Sequence, residues 1–512
     1  MTAAKMEAVR EPRIIVIGAG VAGITTAYVL QKAGFTDFTV LEKGSDVGGV
    51  WHWNHYPGLT CDVPSQIYQF GFAPKPDWSK IWSSGPEIQR YHRDVAERFG
   101  LMDRIRLNTE VAGAVFDDAA GTWTVTLAGD DERPGEELTA DFVVCATGVL
   151  QNPSIPDIPG LDTFAGPVVH TARWDDDLAT DGKRIAVIGT GSTGVQVVSA
   201  LQPRAATITH FTRTPQWILW APMSLPQVPL AGTVLKAFPA AHDALYRGLL
   251  WGSGILADIV RNDTWRRHAV QKYARLSLRA QISDDALRED LTPDYQPLCK
   301  RQVVSGTYYR AIRADNAELI TDAIVEVTPD GIVTADGTRH DVDVIVLATG
   351  FRAHDYMRPM TVVGRDGLTI DEAWAEGPRA YRMTAIPGFP NLFTVLGPNS
   401  PTGSISLQHT AEKTARYLVS WFDAFRRGDA DRIEVTEEAT AEFNAQVREA
   451  LEPTIWNTGG CNSWYFTESG VVDLWPFDRA TLDAMLAEPE PAHYRVTRTE
   501  QLRSVRPGVG AE

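Results

Sequence analysis

Cysteine is scarce here. The 512 residues hold only Cys61, Cys145, Cys299 and Cys461. None stands at C-x-x-C or another close metal-ligand spacing, so no metal site and no local redox pair are written into the chain. Scattered thiols match a reducing compartment, and the cytoplasm is the expected location. Long apolar runs are missing as well. The most apolar later stretch, around Leu249–Ala257, is too short to span a bilayer. Met1–Arg13 mixes charges without an apolar core, so no secretory signal is legible. Positive charge is in deficit: 48 Lys and Arg face 65 Asp and Glu, a net of −17. That balance argues against a nucleic-acid partner or an anionic membrane. Any affinity for phosphate has to be local.

Two local phosphate sites are present. Gly18-Ala19-Gly20-Val21-Ala22-Gly23 follows the apolar run Ile14–Ile17 and opens the stretch Ile24–Ala33. Gly189-Thr190-Gly191-Ser192-Thr193-Gly194 follows Ile185–Ile188 and precedes Val195–Leu201. Each reads as strand, tight turn, helix. Such glycines let backbone N–H groups approach a pyrophosphate at the positive end of a helix. The residue 22 positions beyond the second glycine then differs: Glu42 in one copy, Arg213 in the other. A carboxylate suits a free ribose 2′-hydroxyl, and an arginine suits a 2′-phosphate. FAD and NADPH are the pair these charges predict.

The length allows about three domains. The pattern predicts an α/β chain with two Rossmann-like dinucleotide-binding domains. Residues 1–150 and 392–512 form the FAD-binding domain, and 151–391 form the NADP-binding domain. Residues 222–291 lack strand alternation and read as a helical insertion within the latter. Helices are expected over Glu87–Phe99 and Ser406–Arg426, and strands over Trp123–Leu127 and Phe142–Ala146. The proline-bearing stretch Gln151–Pro159 is one expected crossing between domains. The return is expected near Arg379–Asn391.

One segment is more specific. Phe164–Asp175 reads F-x-G-x-x-x-H-x-x-x-W-D, with His170 and Trp174-Asp175 at its end. It resembles the fingerprint of Baeyer–Villiger monooxygenases, a branch of the class B flavin monooxygenases. The likeness runs over roughly residues 12 to 480. It implies that His170 and Trp174 couple the domains rather than make bonds. Gly48–Gly58, Cys61–Ser65 and Tyr68 are similar to the family's flavin-facing segment. The resemblance thereby implies that Val50, Trp51, Asp62 and Tyr68 line the FAD, with Val111 at the adenine. It implies that Thr190, Ser192, Thr193 and Gln196 contact nucleotide phosphates, and that Lys300 joins Arg213 and Thr214 around the 2′-phosphate. Arg301 would sit over the flavin ring, oriented by Asp62. An arginine suits that place because it is always charged and its planar fork can hold an oxyanion. Gly460–Tyr465 and Leu474-Trp475-Pro476 resemble a segment found in some branches, where it can cap the substrate cavity. Gly71 departs from the pattern, since relatives often carry serine there.

The activity so implied is NADPH- and O2-dependent insertion of oxygen beside a ketone carbonyl, through a C4a-peroxyflavin, to give an ester or lactone. A flavin-containing N- or S-oxygenase is the nearest alternative. A disulfide reductase would need a redox cysteine pair at the flavin, where only Cys61 lies. A non-catalytic NADPH-binding protein would have no use for Arg301. Neither the ketone nor the oligomeric state is written in the sequence.

Overall fold

The computed structural model describes residues 10–129, 135–228, 230–401 and 405–498. Residues 1–9, which carry most of the charged N-terminal stretch, lie outside them. Two parallel five-stranded sheets organise the chain. In the first, the order is Leu392–Thr394, Phe142–Cys145, Ile14–Ile17, Phe38–Leu41, Ile105–Arg106. In the second it is Ala317–Ile320, Thr207–Phe211, Arg184–Ile188, Val344–Leu347, Val168–His170. Ile14–Ile17 and Arg184–Ile188 sit at the centre of their sheets. Apolar runs belong there, because a parallel strand is covered on both faces.

Each sheet is the middle of three layers. Helices Val21–Lys32 and Leu407–Arg426 pack together on one face of the first. Leu407–Arg426 buries Ala411, Ala415, Leu418, Phe422 and Phe425, a stripe at helical spacing. Ser406 caps it by accepting from the His409 N–H. Burying a side chain such as Leu418 or Phe422 stabilises the fold by about 1.5–3 kcal/mol. The opposite face carries the sheet Thr361–Val363, Val111–Asp117, Thr122–Leu127, Glu137–Ala140, around buried Trp123. The second parallel sheet is covered similarly by helix Ser192–Leu201 and by the antiparallel strands Ile324–Thr328, Gly331–Thr334 and Arg339–Asp341.

The two crossings between units run side by side. The Ser154 N–H donates to Gly350 O at 2.9 Å, and the Arg352 N–H to Asn152 O at 2.9 Å. Thr361–Val363 then pairs with Gly113–Val115 of the first unit. The chain has therefore returned by residue 361, earlier than the expected Arg379–Asn391. Turn-rich composition marked a loop there, but strand pairing decides the boundary. Between the crossings, the described part of 222–291 holds helices Ala231–Ala237, Pro239–Arg261, Trp265–Gln281 and Asp285–Asp290.

Candidate active site

Both glycine loops sit where a central strand hands over to a helix. Gly18 has φ +103° and Gly189 has φ +120°, a region that favours glycine. The third glycine of each loop is enforced by contact. A Cβ on Gly23 would lie 1.8 Å from Gly18 O, and one on Gly194 would lie 2.0 Å from Gly189 O. A Cβ on Gly191 would meet nothing within 4 Å, so the second loop is open there. Gly20 and Gly191 begin their helices with no side-chain cap. Uncapped N–H groups at a positive helix end are what a pyrophosphate needs.

The first loop closes on Glu42. Its carboxylate is buried and accepts from the Ala19 N–H at 2.7 Å and the Gly44 N–H at 2.7 Å. A carboxylate oxygen bears more than one lone pair, so it can still accept from a ribose hydroxyl. The Thr109 N–H donates to Glu42 O at 2.8 Å, which brings Val111 to the same end of the sheet. Gly49, at φ +56°, packs on the loop: its Cβ would lie 2.9 Å from Gly20 Cα. This contact places the short helix Val50–Trp53 beside the first loop.

The second loop gathers cations. Arg213 is exposed, and Lys300 stands 4.6 Å over the Tyr295 ring. Neither has an ion-pair partner among the described residues. Burial lowers the Lys300 ammonium from its ordinary range, and Arg213 pushes the same way against Asp294. Two neighbouring cations, neither in an ion pair among the described residues, suit an anion although Asp294 lies near Lys300. Thr190 Oγ1 donates to Thr214 O at 2.9 Å, tying the glycine turn to the Arg213-Thr214 strand end. Ser192 opens the helix at its first position. The Thr193 hydroxyl and the Gln196 amide also reach the first unit. Tyr56 Oη donates to Gln196 Oε1 at 3.0 Å and to Thr193 Oγ1 at 3.4 Å, and Gln196 Nε2 donates to Thr60 O at 2.9 Å. Both ends of the Gln196 amide are thus engaged between the units.

Arg301 and Asp62 come together from 239 residues apart. Nε donates to Oδ2 at 3.0 Å and Nη2 to Oδ1 at 2.7 Å, a bidentate pair. Asp62 holds the Arg301 pKa above even its ordinary range. The arginine side chain keeps 36% exposure, so the pair does not consume it. Tyr68 lies alongside, and its hydroxyl accepts from Trp51 Nε1 at 2.9 Å. Burial, abetted by Cys61 and Asp62 against Arg301, raises the Tyr68 phenol. Tyr465 enters from the C-terminal segment. Burial pushes its phenol up to about 12 although the adjoining Arg301 opposes this.

Several contributors escaped the sequence. Cys299 and Cys461 form a disulfide, 162 positions apart. It ties the residue before Lys300-Arg301 to the segment that carries Tyr465. Spacing rules see only near neighbours, so they gave no sign of it. His210 was also missed. Its Nε2 must donate to Gly189 O, at 2.8 Å, because a carbonyl only accepts; Nδ1 then accepts from Tyr308 Oη at 2.9 Å. The ring props the second glycine turn from within.

His170 ends its strand opposite Leu347, and its Nδ1 accepts from the Ala172 N–H at 3.1 Å. Burial lowers its pKa. Trp174 is buried in the core of the second unit. Their neighbours reach across: the Arg173 guanidinium lies 4.7 Å over the Trp53 ring, and His55 Nδ1 meets Asp176 Oδ1 at 2.8 Å. Neither His170 nor Trp174 joins the Arg301 cluster. Among the described residues no cluster of His, Cys, Asp or Glu could hold a metal, and no helix is long and apolar enough to cross a membrane.

Residues 15–236 match the pyridine nucleotide-disulphide oxidoreductase family. An uncharacterized monooxygenase of Mycobacterium tuberculosis is 46% identical over 97% of this chain and 98% of its own. A Baeyer–Villiger monooxygenase of Streptomyces coelicolor is 39% identical over 98% of this chain and 97% of its own. The structure of OTEMO in complex with FAD and NADP superposes with a TM-score of 0.85 at 27% identity, covering 95% of this chain and 100% of that one. Full-length likeness of this order, together with two nucleotide loops and an arginine–aspartate pair between them, makes the chain a member of the Baeyer–Villiger monooxygenase family.

Proposed function

We propose that this protein is an NADPH- and O2-dependent flavoprotein that inserts one oxygen atom beside a ketone carbonyl to give an ester or lactone. The bidentate Arg301–Asp62 pair, still open on one side, carries the reading. The residues present fit both nucleotides: an uncapped glycine loop with Glu42 in one unit, and an uncapped glycine loop with Arg213 and Lys300 in the other. Bound FAD supplies oxygen activation, and NADPH supplies the electrons. The chain supplies position and charge.

Glu42 and the N–H groups after Gly18 hold the ribose and pyrophosphate of FAD. Val50, Trp51 and Tyr68 line it, with Val111 toward the adenine. Thr190, Gly191, Ser192, Thr193 and Gly194 shape the second phosphate site, and Arg213, Thr214 and Lys300 take the 2′-phosphate. Gln196 acts there by positioning, because its amide links the units. Arg301 places fixed positive charge where negative charge develops at the reacting carbonyl. Asp62 orients that guanidinium without neutralising its free edge. Tyr465 stays protonated near neutral pH and can donate to the same oxygen. His170 and Trp174 couple the units through the segment that grips Trp53 and His55. Cytoplasmic NADPH makes the cytoplasm the working compartment.

The test supplies purified protein with NADPH, O2, a simple ketone and a thioether. Oxygen uptake with ester as the main product supports the reading. Sulfoxide without ester points to an S-oxygenase. A colourless protein that takes up no flavin rejects both.

A further inference from the structure

The helical insertion is covered on one side and bare on the other. Its inner side is seated on the first unit. His242 Nε2 meets Gln66 Oε1 at 2.9 Å, Gln66 Nε2 donates to Gln227 Oε1 at 3.1 Å, and the Gln227 N–H donates to Ser79 O at 3.1 Å. Its outer side is apolar. Of the nineteen exposed large hydrophobic residues described, twelve fall between Trp220 and Leu276. Trp251 is 71% exposed, Trp265 75% and Phe238 63%. Soluble surfaces rarely gather such residues without a partner.

The exposure is organised. On the helix Pro239–Arg261, exposed Ala244, Gly248 and Trp251 share one stripe at a 3.6-residue period, while Ile255 packs inward against the core of the first unit. A Cβ on Gly248 or Gly252 would meet nothing within 4 Å, so the backbone itself is bare there. On the helix Trp265–Gln281, Trp265, Ala269, Leu276 and Ala280 share another stripe. Lys272 and Arg279 border it on one side and Arg266 on the other. That helix has five Lys and Arg and no acidic residue.

Charge separates the candidate occupants. Residues 231–281 carry eight Lys and Arg against three Asp in a chain of −17. Arg267 is buried, Arg247, Arg261 and Arg266 pair with Asp243, Asp478 and Asp258, and Lys236, Lys272, Arg275 and Arg279 are left without an ion pair among the described residues. A second copy would bring the same positive face, and the two would repel. An anionic lipid surface complements it. Apolar side chains, tryptophan among them, bordered by Lys and Arg are what an interfacial helix presents to a headgroup layer. The whole-chain charge argues against such a surface only because it averages a basic insertion with a strongly acidic remainder. No described helix is apolar enough to span the bilayer, so the contact is peripheral.

The geometry points to one conclusion: the outer face of residues 231–281 docks this protein on an anionic lipid bilayer, with Trp251 and Trp265 entering the headgroup region. An apolar ketone dissolved in that bilayer would then lie close to the protein. The surface claim, however, does not need the catalytic one.

The test mixes flavin-loaded full-length protein with vesicles of phosphatidylcholine alone or with phosphatidylglycerol, and measures sedimentation and tryptophan emission. Binding to the anionic vesicles, a blue-shifted emission and release by high salt are expected. Lys272→Ala with Arg266→Ala should weaken binding on the order of thirty-fold at low salt. Trp251→Ser with Trp265→Ser should abolish the blue shift. Both pairs should retain flavin and NADPH oxidation with a small soluble ketone. Equal binding to both vesicle types would overturn the proposal. So would no binding to either, with or without a concentration-dependent dimer lost in Trp251→Ser. The wild-type salt response decides the matter even where a variant fails to fold.

Discussion

At the scale of single residues, Arg301 and Asp62 divide one task. The guanidinium carries the charge and the carboxylate sets its plane. Arg301→Ala should keep its flavin, because neither glycine loop depends on it, yet lose ester formation by roughly 10²–10³, about 2.7–4 kcal/mol. Product analysis under saturating NADPH checks this; ester at the wild-type rate would remove Arg301 from the chemistry. Arg213 makes a separate case. A charged hydrogen bond to the 2′-phosphate contributes about 1.5–3 kcal/mol. Arg213→Ala should therefore raise the KM for NADPH ten- to hundredfold and leave that for NADH little changed. Equal changes for both coenzymes would place the phosphate elsewhere. His210 was invisible in the sequence for a plain reason: an isolated His has no motif until folding gives it a neighbour. Tyr465 was named only as part of a segment resembling a cavity cap, and its place beside Arg301 came from folding.

At the scale of elements, the second glycine turn rests on a buried histidine. Burial holds His210 down at about 4, and His92 down at about 4. Both rings are neutral in the folded protein and titrate near 6.5 when it unfolds. Between those values the unfolded state binds more protons, so stability present above pH 6.5 is lost as pH falls toward 4. Each ring accounts for up to about 3 kcal/mol of that loss. The urea midpoint should fall between pH 7.5 and 5, and His210→Gln should flatten the decline. A wild-type midpoint that holds steady over this range would show that the rings are solvated. The helices and strands themselves were legible. Glu87–Phe99 is realised as Gly85–Arg98, Ser406–Arg426 as Leu407–Arg426, and Phe142–Ala146 as Phe142–Cys145. Their apolar spacing states which face is buried. The return crossing was not legible, because turn residues near 379–391 mark a loop, while the pairing of Thr361–Val363 with Gly113–Val115 leaves no trace in composition.

At the scale of the molecule, the C-terminal segment reaches Arg301 through Tyr465. Tyr465, Leu474 and Trp475 pack into the core that contains Val16 and Phe142. The Cys299–Cys461 disulfide fastens this segment to the Lys300-Arg301 turn. Closing so long a loop restricts the unfolded chain by about 5 kcal/mol in the chain-entropy account. Cys461→Ser, or reduction of the wild type, should lower the thermal midpoint and raise the KM for NADPH, as Lys300 loses its anchor. Unchanged values for both would show that packing alone holds the turn. Cysteine spacing ruled out only local pairs, and pairing across 162 residues leaves no local pattern.

The sequence by itself determined the two nucleotide loops, because strand, glycine turn and helix are contiguous and their backbone needs are local. It also determined the opposite charges of Glu42 and Arg213, which stand at a constant offset from those turns. The resemblance already paired Asp62 with Arg301. Only the tertiary structure decided what else meets that pair: Tyr68, Tyr465 and the Cys299–Cys461 link come from distant stretches, and their proximity follows from how two sheets and a C-terminal segment pack. Local chemistry wrote the glycine loops; long-range burial brought Arg301, Asp62 and Tyr465 together.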